Sequence, residues 1–466
     1  MSHGRFVRRL LELKQGTGSR PGLPFSEVLT EERIAAMLAE WGVLYRERIY
    51  TPCVTLWMFL GQVLSPDHSC REVVARLLAF RTVRGLSPCS AGTGSYCEAR
   101  ERLPRELLRQ LVRQTGRELR EQALDAWRLH GRRILLMDGS TVSMPDTRQN
   151  AAAFGKAENQ YGPVGFPLAR IVVLLCLATG AVLEMAIGPY RGKKSGELSL
   201  FRARQEALER GDLLLGDRLF CSWCDIAGLR ERGVDVVFRQ NAQRLSDFRR
   251  GRKLGREDHL VAWHKPRRRP DGISEEAFAA LPATLLLREV RVRVGIPGFR
   301  VRSLIVVTTL TDPHAFTARD LANLYRQRWH AEVDLRSIKD VMQMDVLRCQ
   351  SPEMVCKELW AHLLAYNLLR GVMCAAAAER DLLPRQVSFK GALQLFNVFH
   401  QYILVSSPEQ LTALSNALLA AVAQHRVANR PNRCEPRKRK RAAKAYPRLK
   451  HSREQERNLC RQNRIR

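Results

Sequence analysis

Negative charge is what this sequence has least of. Its 466 residues carry 47 Asp and Glu against 77 Lys and Arg, a formal net charge of +30 at pH 7, and the pI is near 10.4. The excess is far beyond what solubility requires, and the partner such a field selects is a polyanion. Long apolar runs are also missing. The longest, Ile171 to Leu183, is interrupted by Thr179 and Gly180 and falls short of the roughly 18 residues a spanning helix needs, so no membrane segment is expected. The basic stretch Met1 to Gly16 has no uninterrupted apolar core and no small-residue cleavage site, which argues against export and for the cytoplasm. No internal repeat and no glycine loop of the Walker or dinucleotide type occurs. The twelve Cys lack regular spacing and fit a reducing compartment in which most are small buried hydrophobes. Cys221-Ser-Trp-Cys224 has ligand-like spacing, but no second pair answers it, and a structural role is favoured.

What is present is a folded chain. A hydrophobic content of 45% excludes a wholly disordered basic protein, and the length suggests about three domains at roughly 150 residues each. Residues 1–127 read as a helical N-terminal domain: Glu31 to Trp41, Thr55 to Leu64, Cys70 to Arg81, and Tyr96 to Leu124 broken at Pro104. The period then changes. Arg133 to Asp138, Arg170 to Ala178 and Ala181 to Ile187 read as strands, the last two joined as a hairpin at Thr179-Gly180. A helix from Gly196 to Arg210, a strand from Asp212 to Asp217, a further helix and a strand from Val234 to Phe238 complete a mixed α/β sheet with crossover helices. Eleven Lys or Arg against four acids between Arg239 and Asp271, followed by β-rich stretches, predict an inserted β subdomain over 239–314. Helices resume from Thr317, with C-terminal helices over 381–424. The tail 425–466 has sixteen basic and three acidic residues and should be mobile without a ligand.

Three of the scarce acids stand at telling places. Asp138 closes one apolar strand before Gly139-Ser140 and Asp217 closes another before Arg218, at strand ends where open sheets present their sites. Either one alone reads equally well as the start of a turn. The third, Glu332, lies in Tyr325-x2-Arg328-x3-Glu332-x6-Lys339, whose spacing brings all four side chains within about 60° on a helix. Leu324, Ala331, Leu335 and Ile338 form an adjoining apolar stripe, while Gln327, His330, Asp334 and Ser337 fall on the far, solvent side. A solvated face with an Arg328 to Glu332 pair has the same spacing.

Tyr325, Arg328, Glu332 and Lys339 match the Y-x2-R-x3-E-x6-K signature, and the chain so resembles the DDE transposases of the bacterial insertion-sequence family four. Asp138-Gly-Ser140 and Gly216-Asp217-Arg218 resemble that family's first and second acidic motifs, in the right order, and the likeness runs over roughly residues 90 to 375. Leu335, where an aromatic is usual, and Leu219-Phe220 depart from the pattern without removing an acid. The resemblance implies an RNase H-like catalytic core over 128–238 and 315–380, interrupted by the β insertion. It implies that Asp138, Asp217 and Glu332 are catalytic and hold two Mg²⁺ ions, with Mn²⁺ as a substitute, and that Tyr325, Arg328 and Lys339 grip DNA phosphates. It further implies an aromatic in the insertion that stacks on a displaced base; Trp263 is the candidate, a core position being its other reading. Trp223 and Trp329 read as core. The implied partners are the terminal inverted repeats of an element and its target DNA, engaged by a homodimer; that residues 1–125 read the ends is inferred from domain order alone. A degenerate or domesticated DNA-binding protein, and an RNase H-like structure-specific nuclease, are the rival readings.

If phosphate contacts dominate, apparent affinity for duplex DNA should fall by about a thousand-fold or more between 50 and 200 mM salt. A filter-binding titration that stays flat over that range would count against a DNA partner.

Overall fold

The computed structural model describes residues 29–45, 48–159, 162–192, 195–293, 303–403, 406–428, 451 and 453–463. They fall into two units. Residues up to Trp127, Ala178–Leu183 and Arg336–Ala428 make a helical unit; Arg128–Leu177, Glu184–Leu335 and the residues from Asn429 on make a unit built on a sheet.

In the helical unit, polar caps start each element where the sequence supplies them. The hydroxyls of Thr30, Thr51 and Ser69 accept from the amides of Arg33, Val54 and Glu72 and open the helices Glu31–Glu40, Pro52–Leu64 and Cys70–Val83, satisfying donors that a helix start leaves orphaned. The expected break at Pro104 separates Gly94–Arg102 from Arg105–Glu121, since proline has no amide to donate. The core is Pro352–Ala378, 27 residues long and buried over most of its circumference. Its length and composition would let it cross a membrane, but 78% of its most apolar stretch is buried inside the protein. It packs on Arg105–Glu121, Pro52–Leu64, Phe389–Ile403 and Pro408–Gln424. Because all its sides are apolar, residues 336–380 group with these helices and not with the sheet, as the sequence had suggested.

Two buried polar groups of this helix are met by several partners each. Asn367, fully buried, accepts from the amide of Val182 at 2.7 Å and donates to the Val182 carbonyl at 2.8 Å, the Val112 carbonyl at 3.2 Å and the Thr115 hydroxyl at 3.3 Å. Gly116 permits the close approach, since a Cβ there would collide with the Val182 carbonyl. Glu358 accepts from the amides of Arg348 and Cys349.

The other unit carries a ten-stranded sheet: β1 (Ile134–Ser143), β2 (Lys156–Asn159), β3 (Gly162–Cys176), β4 (Val182–Pro189), β5 (Leu213–Gly216), β6 (Asp235–Arg239), β7 (Arg252–Gly255), β8 (Asp258–His264), β9 (Thr284–Arg293) and β10 (Ser303–Thr308). The order is β2-β3-β1-β5-β6-β10-β9-β8-β7, with β4 also paired to β3. β1, β5 and β6 run parallel, and as centrally buried strands they are near-continuous apolar runs, with Leu135, Leu136, Leu213, Leu214, Leu215, Val236, Val237 and Phe238 all at 0% exposure. The hairpin turns where expected, Gly180 taking φ +78°, a conformation glycine adopts without strain.

The strands of the insertion continue the main sheet: β10 pairs antiparallel with β6, Val306 to Thr308 against Val237 to Arg239, and β9, β8 and β7 follow in turn. An unpaired β6 would present a row of open backbone groups, and the insertion covers it. Within it Arg288, 1% exposed, makes a two-pronged pair with Asp258, its Nε donating at 2.8 Å. Most of the tail, residues 429–450, lies outside the described residues; Arg453–Asn463 is a helix, with the Arg453 guanidinium 4.0 Å from the Phe166 ring centre.

Asn367→Ala would strand several backbone groups in an apolar interior. It should lower the unfolding free energy by about 3 kcal/mol, measured by urea titration; a loss below about 1 kcal/mol would mean the amide is not what holds the Val182 segment.

Candidate active site

The parallel register brings the first two acids together. Leu136 on β1 pairs with Leu215 on β5; two residues further along each chain come Asp138 and Asp217, so the two carboxylates stand at one level of adjacent strands, which run about 4.8 Å apart. Asp138 Oδ1 accepts from the Gly139 amide at 2.9 Å, and Asp217 Oδ1 from the Arg218 amide at 2.6 Å. Each is partly buried.

The third acid comes from a broken helix. Thr317 and Asp320 form a capping box that starts Ala318–Gln327; the helix ends at Arg328, and a second, Trp329–Arg336, carries Glu332. The apolar stripe is as the spacing predicts, Leu324, Ala331, Leu335 and Ile338 being at 0 to 5% exposure. Two expectations fail in their burial. Asp334 is 1% exposed instead of facing solvent, and Trp329, the first residue after the break, is 47% exposed instead of buried. Lys339 lies beyond, on a π-helical turn, Ser337–Val341, in the helical unit; that wider turn ends the 100° step that the spacing assumed.

Arg328 links these groups. Its Nη2 donates to Glu332 Oε1 at 2.6 Å, and its guanidinium carbon is 5.9 Å from the centre of the Tyr325 ring. Its Nε is buried with no hydrogen-bond partner among the described residues. Tyr325 is 9% exposed; burial pushes its hydroxyl up to about 12, with Asp217 adding to the shift and Arg328 and Arg239 opposing it.

Sequence reasoning missed one acid of this neighbourhood. Glu197 opens the short helix Glu197–Arg202, and its carboxylate lies against the Gly139 backbone so closely that a Cβ on Gly139 would overlap it. Burial raises the proton affinity of Glu197, Arg170 opposes and the charge of Asp217 adds. Burial likewise pushes Asp138 up to about 6; the Gly139 amide and Arg328 oppose, and the charges of Glu332 and Glu197 add. No motif announces Glu197; a minority acid after a glycine is the one faint signal.

The donor set is carboxylate oxygen, the chemistry of a hard divalent cation. As the side chains are set, no three His, Cys, Asp or Glu among the described residues stand close enough to hold an ion, and Glu332 is taken by Arg328. Trp263 is elsewhere, at 2% exposure on β8. Its Nε1 donates to Glu289 at 2.7 Å, its carbonyl accepts from Trp223 at 2.9 Å, and the Arg244 guanidinium covers its ring at 3.6 Å. The uncovered ring that base stacking needs is not presented. Cys221 and Cys224 are buried, and burial pushes the Cys221 thiol up to about 12, which leaves both as packing groups.

Two carboxylates stand where β1 and β5 meet, with a partly buried arginine and a buried tyrosine nearby, residue types that phosphoryl chemistry uses. The family model described as a transposase DDE domain matches residues 129–368, and the chain belongs to the DDE transposase family, whose enzymes cleave DNA, move it, and depend on divalent metal ions. It is 28% identical over 437 residues to transposase InsG for insertion sequence element IS4 of Escherichia coli (strain K12), covering 92% of this chain and 94% of that one. A solved piggyBac transposase synaptic complex with hairpin DNA overlays with a TM-score of 0.45 at 9% identity, over 91% of this chain and 87% of that one, too loosely to transfer detail.

The raised affinity of Asp138 has a definite sign. Between pH 3.8 and about 6 the folded carboxyl holds a proton that the unfolded chain has lost, so its stabilising contribution is complete below the lower value and lost as pH rises through the upper. In chelator-treated protein, Asp138→Asn should therefore be more stable than wild type at pH 7.5, by about 3 kcal/mol, with the gap closing toward pH 4. Urea titrations at the two pH values giving the same gap would show that Asp138 is not so perturbed.

Proposed function

We propose that this protein is an insertion-sequence transposase that cuts its element out of DNA and joins it to a target, with Asp138, Asp217 and Glu332 as the metal-holding catalytic acids. The observation that carries the proposal is the juxtaposition of Asp138 and Asp217 across the β1–β5 pairing, beside Glu332. An RNase H-like core is supported by the strand order β4-β3-β1-β5-β6, in which the first three alternate in direction and the last three run parallel. When bound, two Mg²⁺ ions supply activation of the attacking oxygen and stabilisation of the leaving one.

The chain's own residues then have separable tasks. Asp138, Asp217 and Glu332 would hold the cations as carboxylates, and burial makes the charged form of Asp138 costly without one. Arg328, which pairs with Glu332 and whose Nε is a buried donor without a hydrogen-bond partner among the described residues, would hold a phosphate in its planar fork. Tyr325, kept protonated by burial, donates to a phosphate oxygen, and Lys339 adds a point charge to the DNA backbone. The ends recognised are terminal inverted repeats, paired by two copies of the chain in the cytoplasm.

Excision of a marker flanked by the element's own ends tests this reading. Glu332→Gln should abolish Mg²⁺-dependent strand cleavage and excision, at least a thousand-fold, while DNA affinity stays within about three-fold of wild type. Cleavage by the variant at a wild-type rate would remove Glu332 from the chemistry. Wild-type protein that binds the ends and cuts nothing would favour a DNA-binding descendant, and cutting of flaps without joining would favour a nuclease.

A further inference from the structure

We propose that Cys70 and Cys97 are a redox-sensitive dithiol, a site of reversible oxidation by a hydroperoxide, in which Cys70 is the sulfur that attacks and Cys97 the one that closes the disulfide. The pair lies wholly within the helical unit and is independent of the acids read above as metal-holding.

The other described cysteines are buried, apart from exposed Cys460; Cys70 and Cys97 are of intermediate exposure, and their sulfurs meet. The Cys97 thiol donates to Cys70 Sγ at 4.0 Å. Arg100 Nη2 donates to the same sulfur at 3.3 Å and Gln62 Nε2 at 3.6 Å, so three donors converge on Cys70, and Arg100 Nη2 reaches Cys97 Sγ at 3.5 Å. Cys70 is also the first residue of the helix Cys70–Val83, where the dipole favours a sulfur anion. Arg100 is 8% exposed. Its Nη1 donates to Gln62 Oε1 at 3.2 Å, and its guanidinium carbon lies 5.2 and 4.9 Å from the ring centres of Phe59 and Tyr96. A guanidinium cannot shed its charge, and a buried charge is ordinarily paired with an opposite one. Here the fork holds two sulfurs and an amide, so an ionised sulfur supplies the anion that the site otherwise lacks. A cysteine that serves only as a small hydrophobe needs no such donors. No third His, Cys, Asp or Glu stands at ligating distance among the described residues, so the pair is not read as a metal site. Burial raises the Cys70 thiol, with Arg100 and Gln62 opposing, and the pair rests as a dithiol until an oxidant arrives.

The oxidation balances with a hydroperoxide as oxidant. Cys70 gives its proton to solvent and the thiolate attacks the outer peroxide oxygen. The O–O bond breaks, the leaving oxygen takes a proton from solvent, and Cys70 carries a sulfenic acid. The Cys97 sulfur then attacks the Cys70 sulfur, the S–O bond breaks, and the thiol proton leaves with the hydroxide as water. Two thiols are oxidised to one disulfide and one peroxide is reduced. A dithiol reductant reverses the change, the behaviour of disulfides that form transiently in reducing compartments.

The test treats the full-length chain with hydrogen peroxide at pH about 8.5, near the ordinary thiol value, blocks remaining thiols by alkylation and maps the peptides by mass spectrometry without reduction. Peptides joined through Cys70 and Cys97 should appear in most molecules and vanish after dithiothreitol. With dimedone present, Cys97→Ser should trap a sulfenic adduct on Cys70 at least about ten-fold more than Cys70→Ser traps one on Cys97. Circular dichroism verifies that each variant is folded, and alanine replaces serine in any that is not. Cys70 and Cys97 that stay open to alkylation while other cysteines oxidise, or a Cys70 that passes to sulfinic acid without the cross-link, would overturn the dithiol. Equal trapping on the two sulfurs would overturn Cys70 as the attacking one.

Discussion

The parallel pairing of β1 with β5 ties Leu136 to Leu215, and with that ladder Asp138 and Asp217 are committed to the same level of the sheet. The strands that lead to the two acids have leucines with no contact with water, and Asp217 follows directly on the last residue of β5. The cost appears in Asp138, whose proton affinity burial raises. Much of the surrounding chemistry answers this constraint. Arg328 approaches from the helical side, Arg170 from β3, and the amides of Gly139 and Arg218 each point at an aspartate oxygen. Carboxyls so perturbed are over-represented at functional sites, and these lie inside the stretch 129–368 that the family model matches.

How far the sequence could be read follows from the range of the interactions involved. The strands β1, β3, β4, β5 and β6 and the Thr179-Gly180 turn were legible because apolar runs and turn chemistry are local. So was the stripe of Leu324, Ala331, Leu335 and Ile338, because helical periodicity is local too. Asp334 and Trp329 were misjudged because the width of a helix's covered face is set by the elements packed round it, which the period of the sequence does not report, while Arg328 between the two short helices keeps helical dihedrals. Glu197 was invisible for a different reason: its neighbour Gly139 lies 58 positions away, and no periodic pattern links a helix start to the middle of a remote strand. The insertion was recognised by composition, but composition does not say whether new strands close on themselves or continue an existing sheet.

Charge in the sequence also divides on folding. Arg288 with Asp258 and Arg202 with Asp225 are internal pairs, in which arginine's fork satisfies a carboxylate away from water, and Arg328 pairs with the more open Glu332. They spend acids and arginines equally, so the net of +30 is unchanged by them. The excess falls on groups outside such pairs, and these are what a polyanion meets. Trp263 belongs to the same internal economy: its indole, Arg244 and His259 all converge on Glu289, and the buried acid is what draws the ring inward.

A sheet of ten strands should be a hazard in a crowded cell, because each open edge is a template on which another chain can extend the ladder. Here the edges are poor templates. β7 is four residues long and begins with exposed Arg252 and Lys253, charges that a second strand would have to pair or bury. β2 is as short and opens on Lys156. At the start of β4, Val182 turns both its amide and its carbonyl to the side chain of Asn367, so the backbone there already has the partner that an aggregating strand would offer. A very wide sheet can thus be kept without adding copies of itself edge to edge, held apart by geometry as well as by charge.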